Sequence, residues 1–214
     1  DAKNGKSFIK QIYRRTGIRV RIVSGDEEGR LIELAARSNM DVKGKRTLVI
    51  DIGGGSMELI AGDGEDHYFL ESFPLGVARL TDHFLSKDPP SVKQIKKLEK
   101  HIEKILAKAV KKIRKVKVST VIGTAGTWIN LGSMAYESEN ARPLKIMHHH
   151  LLKRKQLEKL HGQIVGLSIR ERLNFPGLDS KRADIILAGS ILTRTMMRLL
   201  RLEEIVLSKM GIRE

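Results

Sequence analysis

The 214-residue sequence contains no cysteine, and this absence excludes several classes of site. Disulfide scaffolds, iron–sulfur clusters, cysteine-ligated zinc and thiol nucleophiles all require cysteine side chains. No run approaches the roughly 18 consecutive apolar residues of a membrane span, and the first five residues lack a signal-peptide pattern. Because 41% of the residues are hydrophobic, there is enough apolar material for a core. We therefore expect a soluble, cytoplasmic protein with no membrane partner.

Aromatic residues are also scarce, at 4%, and acidic residues are outnumbered by basic ones, 25 to 40. The resulting net charge of +15 favours polyanionic partners: nucleic acid, an anionic membrane surface, or a phosphate-rich small molecule or polymer. Proteins that bind single-stranded nucleic acid usually stack the bases on aromatic side chains. The shortage of aromatic residues therefore argues against a nucleic-acid partner, although contacts to a phosphate backbone stay open.

The basic excess is concentrated between Lys87 and Lys117, where twelve basic residues oppose three acidic ones. Apolar residues in this stretch recur every three or four positions, which predicts a long helix with one buried face. Ser91 suits the N-cap position of that helix. The lysine side of the helix has two interpretations: an ordinary solvated surface, or a face that binds a polyanion or a partner.

The order of apolar runs and helical patterns predicts an α/β protein. Strands are expected at residues 18–23, 47–52, 57–61, 68–73, 116–122 and 204–208. Helices are expected at residues 4–15, 26–38, 156–168 and 182–201, besides the basic stretch. In the second of these helices, Leu31, Leu34 and Ala35 are expected to form the apolar face.

The strongest local signal is the run Gly53, Gly54 and Gly55 between two apolar strands. Without Cβ atoms, the backbone N–H groups of such a loop can converge on an anion. Asp51 ends the first strand and Glu58 begins the second, so carboxylates flank the loop. Carboxylates repel a phosphate unless a hard cation lies between them, and we therefore expect Mg²⁺. A tight hairpin is the alternative interpretation.

A second small-residue loop, at residues 123–127, also follows a predicted strand, and strand ends are where α/β sheets bind ligands. Alone it is a weak signal, but with the first loop it suggests two phosphate-facing walls of one cleft. Asp26, Glu27 and Glu28 begin a predicted helix, where acidic residues also complement the helix dipole.

Seven segments together closely resemble the exopolyphosphatase/guanosine pentaphosphate phosphohydrolase family. They are residues 24–30, 51–59, 72–80, 123–127, 176–178, 182–189 and 208–214. The resemblance covers essentially the whole chain. It implies an actin-like ATPase or ribonuclease-H-like fold, mainly its second lobe. It also implies a hydrolase that removes terminal phosphate from polyphosphate or guanosine pentaphosphate.

The same resemblance implies roles for particular residues. Glu28, the second of the glutamate pair, corresponds to the base that activates water. Asp51 and Glu58 correspond to metal-facing residues, with Mg²⁺ as the cofactor. With the second loop included, the candidate phosphate-binding residues are Gly53, Gly54, Gly55, Ser56, Gly123, Thr124 and Gly126.

The chain departs from the family pattern in two respects. Met57 stands where the family usually has threonine, which removes a hydroxyl beside the phosphates. Family members also begin well before this chain does, with a first lobe that carries its own phosphate-binding loop, and they continue beyond its end. We therefore expect a fragment, with residues 1–43 as the end of the first lobe and residues 44–214 as the second lobe.

Other residues suggest sites more weakly. His148, His149 and His150 invite a metal, but adjacent side chains diverge, so at most two can reach one ion. Trp128 is expected in the core. Arg79 follows a turn and either caps it or faces the cleft.

Three functions stay open at this point. The first is the phosphohydrolase, the second is an ATPase or kinase of the same fold, and the third is a non-catalytic module that binds polyanions. The choice between polyphosphate and guanosine pentaphosphate, the preferred chain length and the oligomeric state are also open, with a homodimer as one option.

Overall fold

The computed structural model describes residues 4–38 and 40–210, and its described strands form one mixed sheet. The strands are β1 Thr47–Ile52, β2 Met57–Gly62, β3 His67–Phe73, β4 Thr120–Thr124, β5 Leu151–Lys153 and β6 Glu204–Leu207. Their order across the sheet is β3-β2-β1-β4-β6-β5. The first three strands are antiparallel neighbours, whereas β4 is parallel to both β1 and β6. The predicted α/β class is therefore confirmed.

The described residues also form α-helices. They are α1 Gly5–Thr16, α2 Gly25–Ser38, α3 Val77–Phe84, α4 Val92–Val116, α5 Ala125–Asn140, α6 Arg154–Ile164, α7 Ile169–Arg172 and α8 Ile186–Leu200. Because successive strand residues point to opposite faces of the sheet, β1 contributes side chains to two hydrophobic cores. Leu48 and Ile50 join the large core with α4, α5 and α8, whereas Val49 packs in a smaller cluster with α2. In the part of the chain that the structure describes, every helix is too short or too polar to cross a membrane.

Helix α4 agrees with the prediction for the basic stretch. The Ser91 hydroxyl accepts the backbone N–H of Gln94 at 3.4 Å, and the Gln94 side chain accepts the Ser91 N–H at 3.0 Å. This capping box satisfies two N–H groups at the start of the helix. The helix buries Leu98, Ile102 and Leu106. It continues to Val116, so the strand predicted from residue 116 begins only at Thr120.

The strand predicted at residues 18–23 is wrong. This segment has no regular secondary structure, and Ile18 and Ile22 are 59% and 64% exposed. Its period-two alternation resembles that of a strand, but a strand forms only when a neighbour accepts and donates its backbone hydrogen bonds. No strand of residues 4–38 or 40–210 lies beside it.

The expected apolar face of α2 is also wrong. Leu31 and Leu34 are exposed, Ala35 is half-buried, and the buried residues of α2 are Gly29, Ile32, Glu33 and Ala36. The helix lies on the sheet through Gly29, where an added Cβ would come within 3.0 Å of Leu70. The small residue Gly29 thus allows α2 to lie close to the sheet on its buried side.

The C-terminal half differs from prediction in its boundaries. The helix predicted at residues 156–168 ends at Ile164, and Ser168 caps a separate short helix. The helix predicted from residue 182 begins at Ile186, after a 3₁₀ turn at Ser180–Arg182. Helices α3 and α5 and strand β5 were not predicted. Residues 1–3, 39 and 211–214, which belong to the segments proposed as lobes, lie outside the described residues.

Candidate active site

Two carboxylates lie directly opposite each other where β1 ends and β2 begins. The antiparallel register pairs Asp51 with Glu58, and the parallel register places Thr124 on the other side of Asp51. Opposed residues on neighbouring strands project to the same face of a sheet. The sequence therefore correctly expected carboxylates on both sides of the glycine loop, and the sheet register brings them together.

Helix α2 carries the adjacent glutamates Glu27 and Glu28, and one of them interacts with the carboxylate of Asp51. Val49, two residues before Asp51 and on the same face of β1, packs in the cluster with α2. The charge of Glu28, in the first turn of α2, acts on Asp51. Glu27 instead accepts hydrogen bonds from the Arg21 guanidinium through both carboxylate oxygens, one of them at 2.7 Å. Glu28 is thus the glutamate of the pair whose charge acts on Asp51.

The carboxylates of this site repel one another. Burial, followed by the charges of Glu58 and Glu28, raises the pKa of Asp51 to about 7. Glu58 is also buried and accepts the Ser72 hydroxyl at 2.7 Å. Among the described residues, neither Asp51 nor Glu58 forms an ion pair with a lysine or arginine. A bound cation would relieve this repulsion.

The pair of carboxylates fits Mg²⁺ better than a closed metal centre. The described part of the chain has no group of three or more His, Asp or Glu side chains placed to hold an ion. Mg²⁺ is commonly held by one or two carboxylates together with substrate phosphates and water. The hard oxygen donors of Asp51 and Glu58 and the raised pKa of Asp51 are both consistent with such a site.

The glycine loop is held in place by the start of α3. The N–H groups of Val77 and Ala78 donate to the carbonyls of Gly53 and Gly54, each at 3.0 Å. Gly76 lies so close to the loop that an added Cβ would be 2.3 Å from the Gly54 carbonyl oxygen. The carbonyl side of the loop is therefore fully occupied by protein.

The N–H side of the same loop is open. Within residues 4–38 and 40–210, the N–H groups of Gly54 and Gly55 donate to no acceptor, and both glycines are exposed. Ser56 is half-buried beside them. The Nε of Arg79 donates to the Gly55 carbonyl at 3.1 Å, so Arg79 braces the loop. Free N–H groups in a glycine turn are suited to binding an anion.

The second loop lies at the same edge of the sheet, because the Thr127 hydroxyl donates to the Ile52 carbonyl at 3.0 Å. Its predicted phosphate ligands differ in accessibility. Gly123 and Thr124 are buried, and the Thr124 hydroxyl donates to the Met210 carbonyl at 2.8 Å. Phosphate binding by these two residues stays a prediction, and the structure gives them packing roles.

Two residues at this edge make contacts that the motifs did not assign. The guanidinium of Arg182 lies against Gly126, where an added Cβ would be 1.9 Å from Nη2. Ser72 lies opposite Glu58 in the register of β2 and β3. Counting alternate residues from the turn between β2 and β3 could have placed Ser72 opposite Glu58. No sequence feature near Arg182 indicates that it contacts Gly126.

The three adjacent histidines have structural contacts. His149 has φ 68°, and its N–H donates to the Leu207 carbonyl at 2.8 Å. The His150 ring meets the edge of Tyr136, with centroids 5.7 Å apart. The described residues around them form no metal-binding group.

Known proteins resemble this chain along its whole length. The sequence pattern of the Ppx/GppA phosphatase family matches residues 1–214. An uncharacterised protein of Streptomyces coelicolor is 33% identical, and exopolyphosphatase 1 of Mycobacterium leprae is 28% identical. Each match covers 100% of this chain and 63% of the relative, so the chain spans less than two thirds of their length. The crystal structure of an exopolyphosphatase from Cytophaga hutchinsonii aligns with a TM-score of 0.87 and 26% identity, over 99% of this chain and 68% of that one.

Proposed function

Since this chain belongs to the Ppx/GppA phosphatase family, we propose that it is part of a phosphohydrolase that removes terminal phosphate from polyphosphate, guanosine pentaphosphate or both. Its fold is the actin-like ATPase fold of its structural relatives. We propose residues 44–214 as the second lobe and residues 1–43 as the end of the first. In this division, Glu28 of α2 belongs to the first lobe, and Asp51 and Glu58 belong to the second. The cytoplasmic location stays an expectation.

One observation carries the assignment of the base: the structure separates the two adjacent glutamates. Glu27 is neutralised by Arg21, whereas the charge of Glu28 acts on Asp51. A carboxylate near the reacting phosphate can accept the proton of an attacking water. In the proposed step, the water oxygen bonds to the terminal phosphorus, its proton passes to Glu28, and the bond to the bridging oxygen breaks. The products are phosphate and a chain shorter by one phosphate.

The remaining residues bind and position the substrate. The N–H groups of Gly54 and Gly55, with Ser56 beside them, are proposed to hold the terminal phosphate. Gly53, Gly123, Thr124 and Gly126 shape the two loops around it. Asp51 and Glu58 would hold Mg²⁺, which when bound supplies positive charge against the phosphate oxygens. Phosphoryl transfer needs little more than this positioning and charge neutralisation.

The test compares Glu28→Gln with Glu27→Gln in the purified full-length protein. Phosphate release is measured with Mg²⁺ from polyphosphate and guanosine pentaphosphate side by side. Both substitutions remove one negative charge from neighbouring positions, so Glu27→Gln is the matched control. We expect Glu28→Gln to lower kcat at least about 100-fold and Glu27→Gln to leave it nearly unchanged. Equal effects of the two substitutions would contradict the assignment of the base.

Two further outcomes separate the alternatives. Turnover of ATP with no action on either proposed substrate would favour a kinase or ATPase of the same fold. The 214 residues alone are expected to bind phosphate ligands weakly and turn over poorly, because the proposed cleft needs the first lobe. Robust turnover by this chain alone would contradict the proposed division into lobes.

A further inference from the structure

Helix α4 carries nine lysines, all exposed, which we name the lysine face. They are Lys93, Lys96, Lys97, Lys100, Lys104, Lys108, Lys111, Lys112 and Lys115. At about 100° of rotation per residue, they fall within an arc of about 160° on the helix, opposite the buried Leu98, Ile102 and Leu106. Since a helix rises about 1.5 Å per residue, the lysine face is roughly 33 Å long.

The acidic residues of α4 do not balance this face, because α8 engages them. The Nη2 atom of Arg194 donates to Glu99 at 2.5 Å, and Nη2 of Arg198 donates to Glu103 at 2.6 Å. Both glutamates lie on the flank of α4 that faces α8. In the sequence they oppose the lysines, but in the structure arginines of another helix neutralise them.

The third acidic residue of the basic stretch is engaged in the same way. Asp88 accepts the N–H of Ile169 at 2.9 Å and lies 3.5 Å from the guanidinium of Arg172. Within the described chain, no lysine of the lysine face forms an ion pair with a carboxylate. Among residues 4–38 and 40–210, the lysine face therefore has no acidic partner along its whole length.

Helix α3 connects the glycine loop to the N-terminal half of α4. Helix α3 begins at that loop, since Val77 N–H donates to the Gly53 carbonyl, and it extends about 12 Å to Phe84. The Phe84 ring packs against His101 of α4, with centroids 4.7 Å apart. A shallow depression of about 500 Å³ in this half of α4 is lined by Val92, Lys93, Lys96, Lys97 and Lys100.

We propose that the lysine face binds the distal part of a long polyphosphate chain whose terminal phosphate occupies the glycine loop. This proposal rests on the proposed function. A linear polymer with a negative charge on each phosphate complements an elongated face of lysines, which bind phosphate as point charges. Helix α4 contains no Phe, Tyr or Trp, so it offers no aromatic platform for the bases of a single-stranded nucleic acid. Guanosine pentaphosphate is too short to reach along the helix.

The test neutralises three lysines in the N-terminal half of α4 in the full-length protein. The variant is Lys93→Gln, Lys96→Gln and Lys100→Gln together. Lys97 is left intact because its ammonium lies over the Phe84 ring, 5.8 Å from the centroid, and contributes to packing. A matched control removes three exposed positive charges elsewhere, through Lys145→Gln, Lys155→Gln and Arg170→Gln.

We expect the lysine-face variant to raise KM for long-chain polyphosphate roughly tenfold, as loss of three exposed charge contacts implies. Its kcat, and its KM for tripolyphosphate, should match those of the wild type. The salt dependence of long-chain binding should weaken by about two in logarithmic slope, close to 0.7 for each lost contact. An unchanged KM, an equal rise in the control variant, or an equal rise for tripolyphosphate would overturn the proposal.

Direct binding separates this proposal from the proposed function. If the protein hydrolyses no polyphosphate of any length, the proposed function fails, and fluorescently labelled long-chain polyphosphate is titrated instead. Weaker binding by the lysine-face variant than by the control variant would still support the lysine face as a polyphosphate-binding surface. If the lysine-face variant still binds polyphosphate but no longer binds a single-stranded oligonucleotide, the proposal is overturned in favour of a nucleic-acid-binding surface.

Discussion

The imidazole of His161 is buried between α6 and α8, and we expect it to make the fold less stable at pH 5 than at pH 7.5. The residue is 6% exposed, and Nδ1 lies 2.9 Å from the Ser190 hydroxyl oxygen. Burial, and secondarily the charge of Arg194, lower the pKa of His161 from 6.5 to about 4. The folded protein thus holds a neutral imidazole, whereas the unfolded chain binds a proton near pH 6.5.

The direction and size of the effect follow from this difference. Between pH 6.5 and pH 4 the unfolded state binds more protons, so the free energy of unfolding falls as the pH decreases. From pH 7.5 to pH 5, His161 should remove about 2 kcal/mol of stability. Below pH 4 the full difference would be about 3 kcal/mol, but carboxylates also become protonated there. Measurement at pH 5 isolates the histidine better.

The assay is urea unfolding of the full-length wild type and the His161→Asn variant at both pH values. The variant has no imidazole at this position, so its stability should fall less between pH 7.5 and pH 5, by about 2 kcal/mol. His83→Asn, at an exposed position of α3, is the control and should keep the wild-type pH dependence. An NMR titration of the His161 ring should show no protonation near pH 6.5.

Parallel behaviour of the wild type and His161→Asn would refute the reasoning. A difference below about 0.5 kcal/mol is within the usual additivity error and would count as parallel. Protonation of the folded His161 near pH 6.5 would refute it independently, because the pKa would then be unaffected by burial.

Two other predictions concern the candidate active site. Gly76→Ala should cost about 2 kcal/mol and disturb the glycine loop, because its Cβ would overlap the Gly54 carbonyl. Urea unfolding and phosphate release check this against Gly166→Ala, where an added Cβ meets no atom within 4 Å, and equal effects would contradict it. Ser72→Ala removes the donor to Glu58 and should raise the Mg²⁺ concentration for half-maximal phosphate release about tenfold. An unchanged Mg²⁺ dependence would show that Glu58 does not need this hydrogen bond to hold the ion.

Part of the fold follows from local patterns in the sequence. Ser91 and the apolar stripe after it specify α4, because capping and helix periodicity depend on residues a few positions apart. Apolar runs interrupted by glycines likewise predicted β1, β2 and β3 with boundaries close to those observed. The strand predicted at residues 18–23 had the same local pattern and failed, since strand formation depends on a neighbour.

The candidate site also combines features that local sequence predicts with features that depend on distant residues. The sequence placed Asp51 and Glu58 beside the glycine loop because all three belong to one hairpin. Their roles in binding Mg²⁺ and phosphate stay predictions. The contact of Arg182 with Gly126 joins residues far apart in the chain, and no local pattern encodes such a contact.

By itself, the sequence determined the two strands that flank the loop, the family, and the amount of positive charge on α4. Only the tertiary structure decided which charged side chains interact with one another. Adjacent positions on α2 point in different directions, so Arg21 neutralises Glu27 while the charge of Glu28 reaches Asp51. Arginines of α8 likewise form ion pairs with Glu99 and Glu103 of α4, so these glutamates do not pair with its lysines. Electrostatic interactions depend on distance in space, and the distances between remote segments are set only when the helices pack on the sheet.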